Sequence, residues 1–382
     1  MKQKIDKTLS AKAVAALFPQ ALLEKLMLIQ QEFTGEVYLV GGSVRDLLLD
    51  RHPGDLDLTV SKQAEGWARR LQALTGGAYV ELGREEDAAR VVWQGQYVDF
   101  SSFRDGAQSI EEDLFLRDIS INALAVPMHD LLAGRCTDLL PIIDPVGGGE
   151  DLALRRVRVV SARSFFDDPL RMLRVFRCAA VLDFTIEPDT LEKIQMQRQS
   201  IERVAKERVA YELDLIMASP RAHQTFAELR VCGLLWEVLP ELQAGQGMDQ
   251  PASHHLDVFE HCLESLRQME LVLADLGHYF SDTQAVMEEY VRSKRRQVQL
   301  KWAALMHDVG KPSTYGINQD KGGRITFYNH DLRGADILNN LALRLRWARE
   351  DISVVARLIA GHMRPFFLAN NQRQGKLTLK AC

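Results

Sequence analysis

The chain has 382 residues, 46% hydrophobic and 26% charged, a composition that excludes a disordered polymer and exceeds what one ordinary core holds. Its formal net charge of −5, from 47 Lys and Arg against 52 Asp and Glu, excludes a protein coated in positive charge. Nucleic-acid binding therefore requires a local basic face. Five scattered cysteines (Cys136, Cys178, Cys232, Cys262 and Cys382) form no CxxC pair and predict free thiols in a reducing compartment. The apolar run 13–18 is soon followed by Pro19, Glu24 and Lys25, which reads as an amphipathic helix, not a signal peptide or membrane span. The expectation is a cytoplasmic protein with no membrane partner.

In chain order, Leu, Ala and Met at helical spacing predict a helix over 9–31, within an N-terminal extension of residues 1–35. Val37–Val40 is a short apolar strand ended by Gly41-Gly42, and 43–50 is read as a helix. Leu56–Val60 alternates as a strand, and 91–93 and 97–100 flank Gln94-Gly-Gln96 like a hairpin. Residues 36–150 thus read as a small α+β unit with a short-stranded, mixed or antiparallel sheet. From about Leu152 nearly everything has helical period, punctuated by Pro169, Pro188, Pro220, Pro240 and Pro251. That predicts a helical neck and body over 151–245, a linker over 243–253, and a second helical unit over 252–382 holding seven of the ten histidines. No internal repeat is visible.

The segment Leu39-Val-Gly-Gly-Ser-Val-Arg-Asp46 places two glycines where a strand gives way to a helix. Backbone N–H groups at such a turn, with a helix N-terminus behind them, suit a triphosphate, and Arg45 is within reach of the same phosphates. A tight strand-to-helix turn with no ligand is the plain alternative. Asp55 and Asp57, two apart in a strand, project from one face, where adjacent carboxylates repel unless a cation joins them. A pair of Mg²⁺ ions would relieve that repulsion, activate a hydroxyl nucleophile and stabilise a pyrophosphate leaving group. Asp99, between Val98 and Phe100, is either a third catalytic carboxylate or an outward Asp on an alternating strand.

Gly41-Gly42-Ser43-Val-Arg45-Asp46 followed by Asp55-Leu-Asp57 resembles the first motif of the polymerase-beta-like nucleotidyltransferases. More narrowly, it is similar to the bacterial class II tRNA CCA-adding enzymes and their poly(A) polymerase relatives. Four further stretches agree in order. Arg117-Asp118-Ile-Ser-Ile-Asn122-Ala123 resembles the second motif, which implies contacts to sugar and phosphates from Arg117, Asp118 and Asn122. Asp144-Pro-Val-Gly147 to Asp151-Leu152 resembles the third, a turn between head and neck. Asp167-Asp168-Pro-Leu-Arg171-Met-Leu-Arg174 resembles the fourth, and Glu207-Arg208 to Glu212 the fifth, a neck helix. The likeness covers roughly 36–240.

Asp168-Pro169 reads as an N-cap and first helical residue, with Arg171 one turn along. A carboxylate can accept from the exocyclic amine of C or A while a guanidinium donates to the neighbouring ring acceptor; U and G offer a carbonyl there instead. The resemblance assigns this base-selecting role to Asp168 and Arg171, with Arg174 in the same motif, and no nucleic-acid template. Seven arginines between Arg155 and Arg177, against two acids, make a basic stripe for an RNA acceptor end.

In the last unit His261 lies in an apolar-periodic helix, and His307-Asp308-Val-Gly-Lys311-Pro312 follows another. This resembles the HD superfamily of metal-dependent phosphohydrolases, in which His330 and His362 would serve a second ion. Imidazole with carboxylate suits Mn, Ni, Co, Fe or Zn. The superfamily's final aspartate is open among Asp331, Asp336 and Asp351, and a degenerate unit that grips tRNA is the alternative to an active hydrolase.

The chain departs from the family pattern at Leu116, where Arg is usual, and at Asp167, where Glu is usual. Its 104–113 loop is short, as in relatives that add only CC. Beyond Gly361-His-Met-Arg-Pro365 the helical pattern dissolves into polar residues. The expected function is metal-dependent addition of C, A or both to the tRNA 3′ end from CTP or ATP. The rivals are a poly(A) polymerase, an HD phosphohydrolase with an RNA-binding head, and a non-catalytic RNA binder.

Overall fold

The computed structural model describes residues 8–376 apart from residues 34, 83–86, 136–137 and 252–254 and the side chain of Lys321. Cys136, Cys382 and the C-terminal Leu379 to Cys382 lie outside the described residues, while Cys178, Cys232 and Cys262 are free and buried. Two compact units divide the chain. One runs to Asp167 and takes in Phe184–Thr190; the other comprises Asp168–Asp183 and everything from Leu191.

The first unit is built on a six-stranded mixed sheet. Its strands are β1 (Val37–Val40), β2 (Leu56–Val60), β3 (Ala78–Glu81), β4 (Ala88–Trp93), β5 (Gln96–Ser102) and β6 (Ala125–Pro127), ordered β3-β4-β5-β2-β1-β6. Only β2 and β5 pair in parallel. The β4–β5 hairpin turns on Gln94-Gly95, both at positive φ, which matches the strands' right-handed twist. Helix α1 (Gly41–Leu48) begins directly at the glycine pair, two residues earlier than expected, and α2 (Ala64–Thr75) buries Trp67, Ala68 and Leu71 against β4 and β5. The expected helix over 9–31 is instead a strand, Thr8–Ser10, and two helices, Ala11–Ala15 and Gln20–Glu32. Pro19 causes the break, since it lacks an N–H and sits at the N-cap of the second helix.

The second unit is helical bundles, although the stretch after Leu152 is not all helix. Arg156–Val157 pairs in parallel with Thr185–Ile186 in the first unit, and Tyr315–Asn318 with Arg324–Phe327 forms a hairpin in the second. Helix α3 (Arg171–Leu182) packs on α4 (Lys206–Ala218). Further on, α5 (Val258–Ala274), α6 (Lys294–Met306), α7 (His330–Arg344) and α8 (Arg349–Gly361) pack together. Asp257 and Ser293 cap α5 and α6 by accepting the N–H of Glu260 and Arg296. The predicted linker begins as packed structure: Pro240–Gly245 is a 3₁₀ turn with Leu242 buried, and a Cβ on Gly245 would meet Val258 at 3.1 Å. The polar stretch after Pro365 remains helical over Arg364–Arg373, with Pro365 tolerated in the first turn.

Arg349–Arg373 is long and apolar enough, by length and composition, to cross a membrane. Here it is two helices, of which the first buries Val355 and Ile359 in the bundle and the second buries no residue. Lys301 is buried on α6 and donates to the Ser219 carbonyl at 2.6 Å and to Glu270 at 3.1 Å. On α4 the Asp214 carboxylate accepts the Trp302 indole N–H at 2.7 Å.

Loss of solvation, assisted by the charge of Asp351, pushes Asp214 up to about 6 against the Trp302 hydrogen bond. The folded chain then holds this proton more tightly than the unfolded one, so stability falls as pH rises from the ordinary carboxylate range toward 6. Asp214→Asn keeps the acceptor and removes the charge. By urea unfolding, the variant should exceed the parent in stability at pH 8 and converge with it at pH 4; an equal difference at both pH values contradicts this account.

Candidate active site

Asp57 lies on β2, and Asp55 immediately precedes that strand instead of lying within it. The parallel register sets Asp57 directly across from Asp99 on β5. Ser43 holds the acidic segment from α1: its hydroxyl donates to the Asp55 carbonyl at 3.0 Å and accepts the Asp57 N–H at 2.8 Å. The glycine turn stands over the same carboxylate. Gly41 has φ +64°, and a Cβ there would approach Arg117 Nη1 to 3.1 Å and Asp57 Oδ2 to 3.4 Å; one on Gly42 would meet Asp57 Oδ2 at 3.5 Å.

Although Asp57 is only half-buried by exposure, its carboxyl is closely surrounded. Loss of solvation, then the charges of Asp99 and Asp55, push it up to about 6 against the pull of Arg117 and Arg45. Arg45 donates to Asn122 Oδ1 at 2.8 Å and to Asp46 at 2.8 Å. Arg117 is buried, paired with Asp113 at 3.1 Å and donating to Thr59 at 3.0 Å. Desolvation, with Arg104 nearby, lowers Arg117 to about 10. Asp118 is buried and accepts the Ile119 N–H at 2.9 Å. Gly41, Gly42, Ser43, Arg45, Asp55, Asp57, Asp99, Arg117 and Asn122 therefore surround one acidic centre. Asp144 serves structure instead, its carboxylate taking the N–H groups of Gly148 and Gly149.

Two features escaped sequence reasoning. Arg90 forks Asp99 with Nε and Nη2 at 2.7 and 2.8 Å and reaches Asp55 at 2.9 Å. Counting back from the Gln94-Gly95 turn pairs Arg90 with Asp99, so the signal was available in the hairpin register. The second is Asp113, fully buried, which joins Arg104 and Arg117. The short 104–113 stretch is thereby tied down at both ends.

In the second unit Asp168 does not cap α3 as its assigned N-cap. Residues 168–170 form a turn before the helix, in which Asp168 accepts the Leu170 N–H with its side chain and the Arg171 N–H with its carbonyl. Its other carboxylate oxygen accepts from Arg208 at 2.9 Å. Glu212, buried on α4, faces Arg177 at 2.9 Å and Arg174 at 3.9 Å. Much of the predicted basic stripe is thus neutralised locally: Arg156 and Arg158 pair with buried Asp151, and Arg163 with Asp167.

A second cluster lies wholly in this unit. His261 and His307 reach Asp308 Oδ2 with Nε2 at 3.2 and 3.1 Å, and His330 and His362 approach Oδ1 at 3.1 and 3.6 Å. The Nδ1 atoms of His307, His330 and His362 bond the carbonyls of Ala304, Phe327 and Ile359, which fixes their tautomers and turns Nε2 inward. Burial raises the Asp308 carboxyl, but hydrogen bonds from His261, His307 and His330 hold it far below the usual range. Asp351 is engaged by Arg295 and Gln299. Among the described residues, the two groups able to hold a metal are His261–His307–Asp308 and Asp308–His330–His362, and neither includes Asp331, Asp336 or Asp351.

The chain matches the Poly A polymerase head domain over residues 37–158, the "Probable RNA and SrmB- binding site of polymerase A" over 183–245, and the HD domain over 258–380. It is 36% identical over 330 residues to the A-adding tRNA nucleotidyltransferase of Deinococcus radiodurans, covering 85% of this chain and 68% of the relative. The chain belongs to the tRNA nucleotidyltransferase family. The CC-adding tRNA nucleotidyltransferase of Thermus thermophilus is another member, 32% identical over 336 residues, with 86% of this chain and 68% of that one covered. A solved CCA-adding enzyme with CTP shares the fold, with a TM-score of 0.64 at 20% identity over 97% of this chain and 77% of that one.

A tRNA nucleotidyltransferase depends on divalent metal ions, and the head's donor set fits them. Its carboxylates are crowded enough to raise Asp57, and the glycine turn brings bare backbone close to them where a Cβ would crowd Asp57 and Arg117. Ser43 is the piece that fixes Asp55 relative to Asp57. Ser43→Ala strands the Asp57 N–H and should lower head stability by about 1–3 kcal/mol. Chemical denaturation checks this; an unchanged midpoint would show that the hydroxyl bridge carries no weight.

Proposed function

We propose that this chain adds C, A or both to the 3′ end of tRNA from CTP or ATP, without a nucleic-acid template. The observation that carries the reading is the Ser43-bridged Asp55–Asp57 pair beneath the Gly41-Gly42 turn. Asp55 and Asp57 would hold Mg²⁺, with Asp99 as a third carboxylate. Bound there, divalent ions would supply Lewis-acid activation of the ribose hydroxyl and charge neutralisation on the leaving pyrophosphate. The hydroxyl oxygen forms the new bond to the α-phosphorus, the bond to the β-phosphate oxygen breaks, and the hydroxyl proton passes to solvent.

The remaining residues orient and select. Gly41 gives its own N–H to the Leu124 carbonyl and sets the turn, Gly42 and Ser43 present theirs at a helix N-terminus to the triphosphate, and Arg45 adds a cation. Arg117, Asp118 and Asn122 shape the pocket for sugar and phosphates, Asn122 by steering Arg45. Asp168 and Arg171 select the base, with Arg174 beside them. Arg208 and the Leu170 N–H each take one Asp168 oxygen, which fixes the carboxylate plane. Facing U or G, that carboxylate meets a carbonyl, a mismatch of roughly 1–3 kcal/mol. Buried free thiols suit a tRNA-processing enzyme of the reducing cytoplasm.

A second activity is favoured by the imidazole cluster. His261, His307 and Asp308, with His330 and His362 opposite, would hold Mn, Ni, Co, Fe or Zn for phosphoester hydrolysis. The alternative, a poly(A) polymerase, shares the motifs but would elongate with A alone, without stopping.

One assay separates these readings. Given tRNA lacking its terminal CCA and each nucleotide in turn, the protein should add at most the missing C and A residues and then stop. Asp57→Asn should lower addition at least about 10³-fold, while His307→Ala should spare addition and abolish phosphoester hydrolysis. A long A tail identifies a poly(A) polymerase, and addition that survives Asp57→Asn rejects the head as the catalytic centre.

A further inference from the structure

Arg90 touches two of the three head carboxylates at once. Its Nε and Nη2 fork both oxygens of Asp99, and the same Nη2 donates to Asp55 Oδ2 at 2.9 Å. The placement is set by the backbone, because the β4–β5 register puts Arg90 opposite Asp99 and the β5–β2 register puts Asp99 opposite Asp57. The guanidinium carbon stands 5.3 Å from the centre of the Tyr97 ring, and the side chain keeps 28% of its surface exposed, so solvent lies open to it.

We propose that Arg90 is an internal counter-cation that competes with divalent ions for Asp55 and Asp99, and so sets how tightly the head takes its metal. The proposal rests on the reading of Asp55 and Asp57 as metal-holding residues. Three carboxylates gathered on two neighbouring strands and the residue before one of them repel one another, and a bidentate guanidinium is the cation best shaped to hold such a group together. The same fork occupies both oxygens of Asp99 and one of Asp55. A dication approaching Asp55 therefore meets both a taken lone pair and a fixed positive charge. Metal entry requires Arg90 to yield at Asp55, and its position over Tyr97 gives it a cation–π resting place beside the strand. The consequence is a head whose acidic centre is pre-assembled without metal and whose metal affinity is held below that of three unpaired carboxylates. Arg90 is accordingly a positioning residue, since it acts through Asp55 and Asp99.

The test uses the full chain without nucleotide and Mn²⁺ as a paramagnetic probe, with free ion read by electron paramagnetic resonance. The head site is the binding that Asp57→Asn removes, which separates it from the imidazole cluster. Arg90→Gln should bind Mn²⁺ at that site about tenfold more tightly than the parent, and Arg90→Lys, which keeps the charge and loses the fork, should fall between them. Equal or weaker binding by Arg90→Gln overturns the proposal while leaving the metal site standing. Undiminished Mn²⁺ binding in Asp57→Asn removes the metal-site reading and the proposal with it. Should Arg90→Gln fail to fold by circular dichroism, Arg90→Lys decides alone, and parent-like affinity there counts against the proposal.

Discussion

Crowded negative charge at Asp57 is the constraint around which the head is arranged. A carboxylate closely surrounded and facing Asp99 across a strand is costly to ionise, as its rise to about 6 reports. Each neighbouring feature addresses that cost. Ser43 ties down the backbone on both sides of Leu56, Arg45 and Arg117 lend positive charge, and Arg90 gathers the flanking Asp55 and Asp99. The sheet supplies the geometry, because β2 and β5 run parallel in register and bring carboxylates far apart in sequence to one level.

The second unit shows the same economy with different chemistry. Four imidazoles from separate helical elements converge on the single carboxylate of Asp308, and three are aimed by backbone carbonyls, two near helix C-termini and that of Phe327 at the end of a strand. Asp168 and Glu212 are likewise acids held by arginines, one by Arg208 and the other by Arg177. In both units paired ions take the place of an overall basic surface, in keeping with the chain's acidic balance.

What could be read from sequence was local. The Gly-Gly turn, the two aspartates two apart and the Gln94-Gly95 hairpin each announce themselves within a few residues, and the structure has each as a turn, an acidic centre and a type I′-like connection. Long-range partners stayed hidden because no periodicity encodes them. Arg208 reaches Asp168 across 40 positions, and Asp113 is indistinguishable in sequence from an exposed acid in a helix's first turn. Short strands failed for a physical reason: Ala125–Pro127 and Thr185–Ile186 are too brief to show alternation and owe their form to neighbouring strands. Pro19 was visible yet outweighed by the apolar spacing around it, where its missing N–H in fact ends one helix and starts another.

In the proposed mechanism Asp55 and Asp57 converge on divalent cations beside the glycine turn. The most direct measurement is anomalous diffraction from crystals grown with Mn²⁺ and an unreactive CTP analogue. A peak about 2.1 Å from carboxylate oxygens of both residues, with the triphosphate against Gly41 and Gly42, is the predicted result. A triphosphate bound elsewhere, or a metal peak that avoids Asp57, would contradict it.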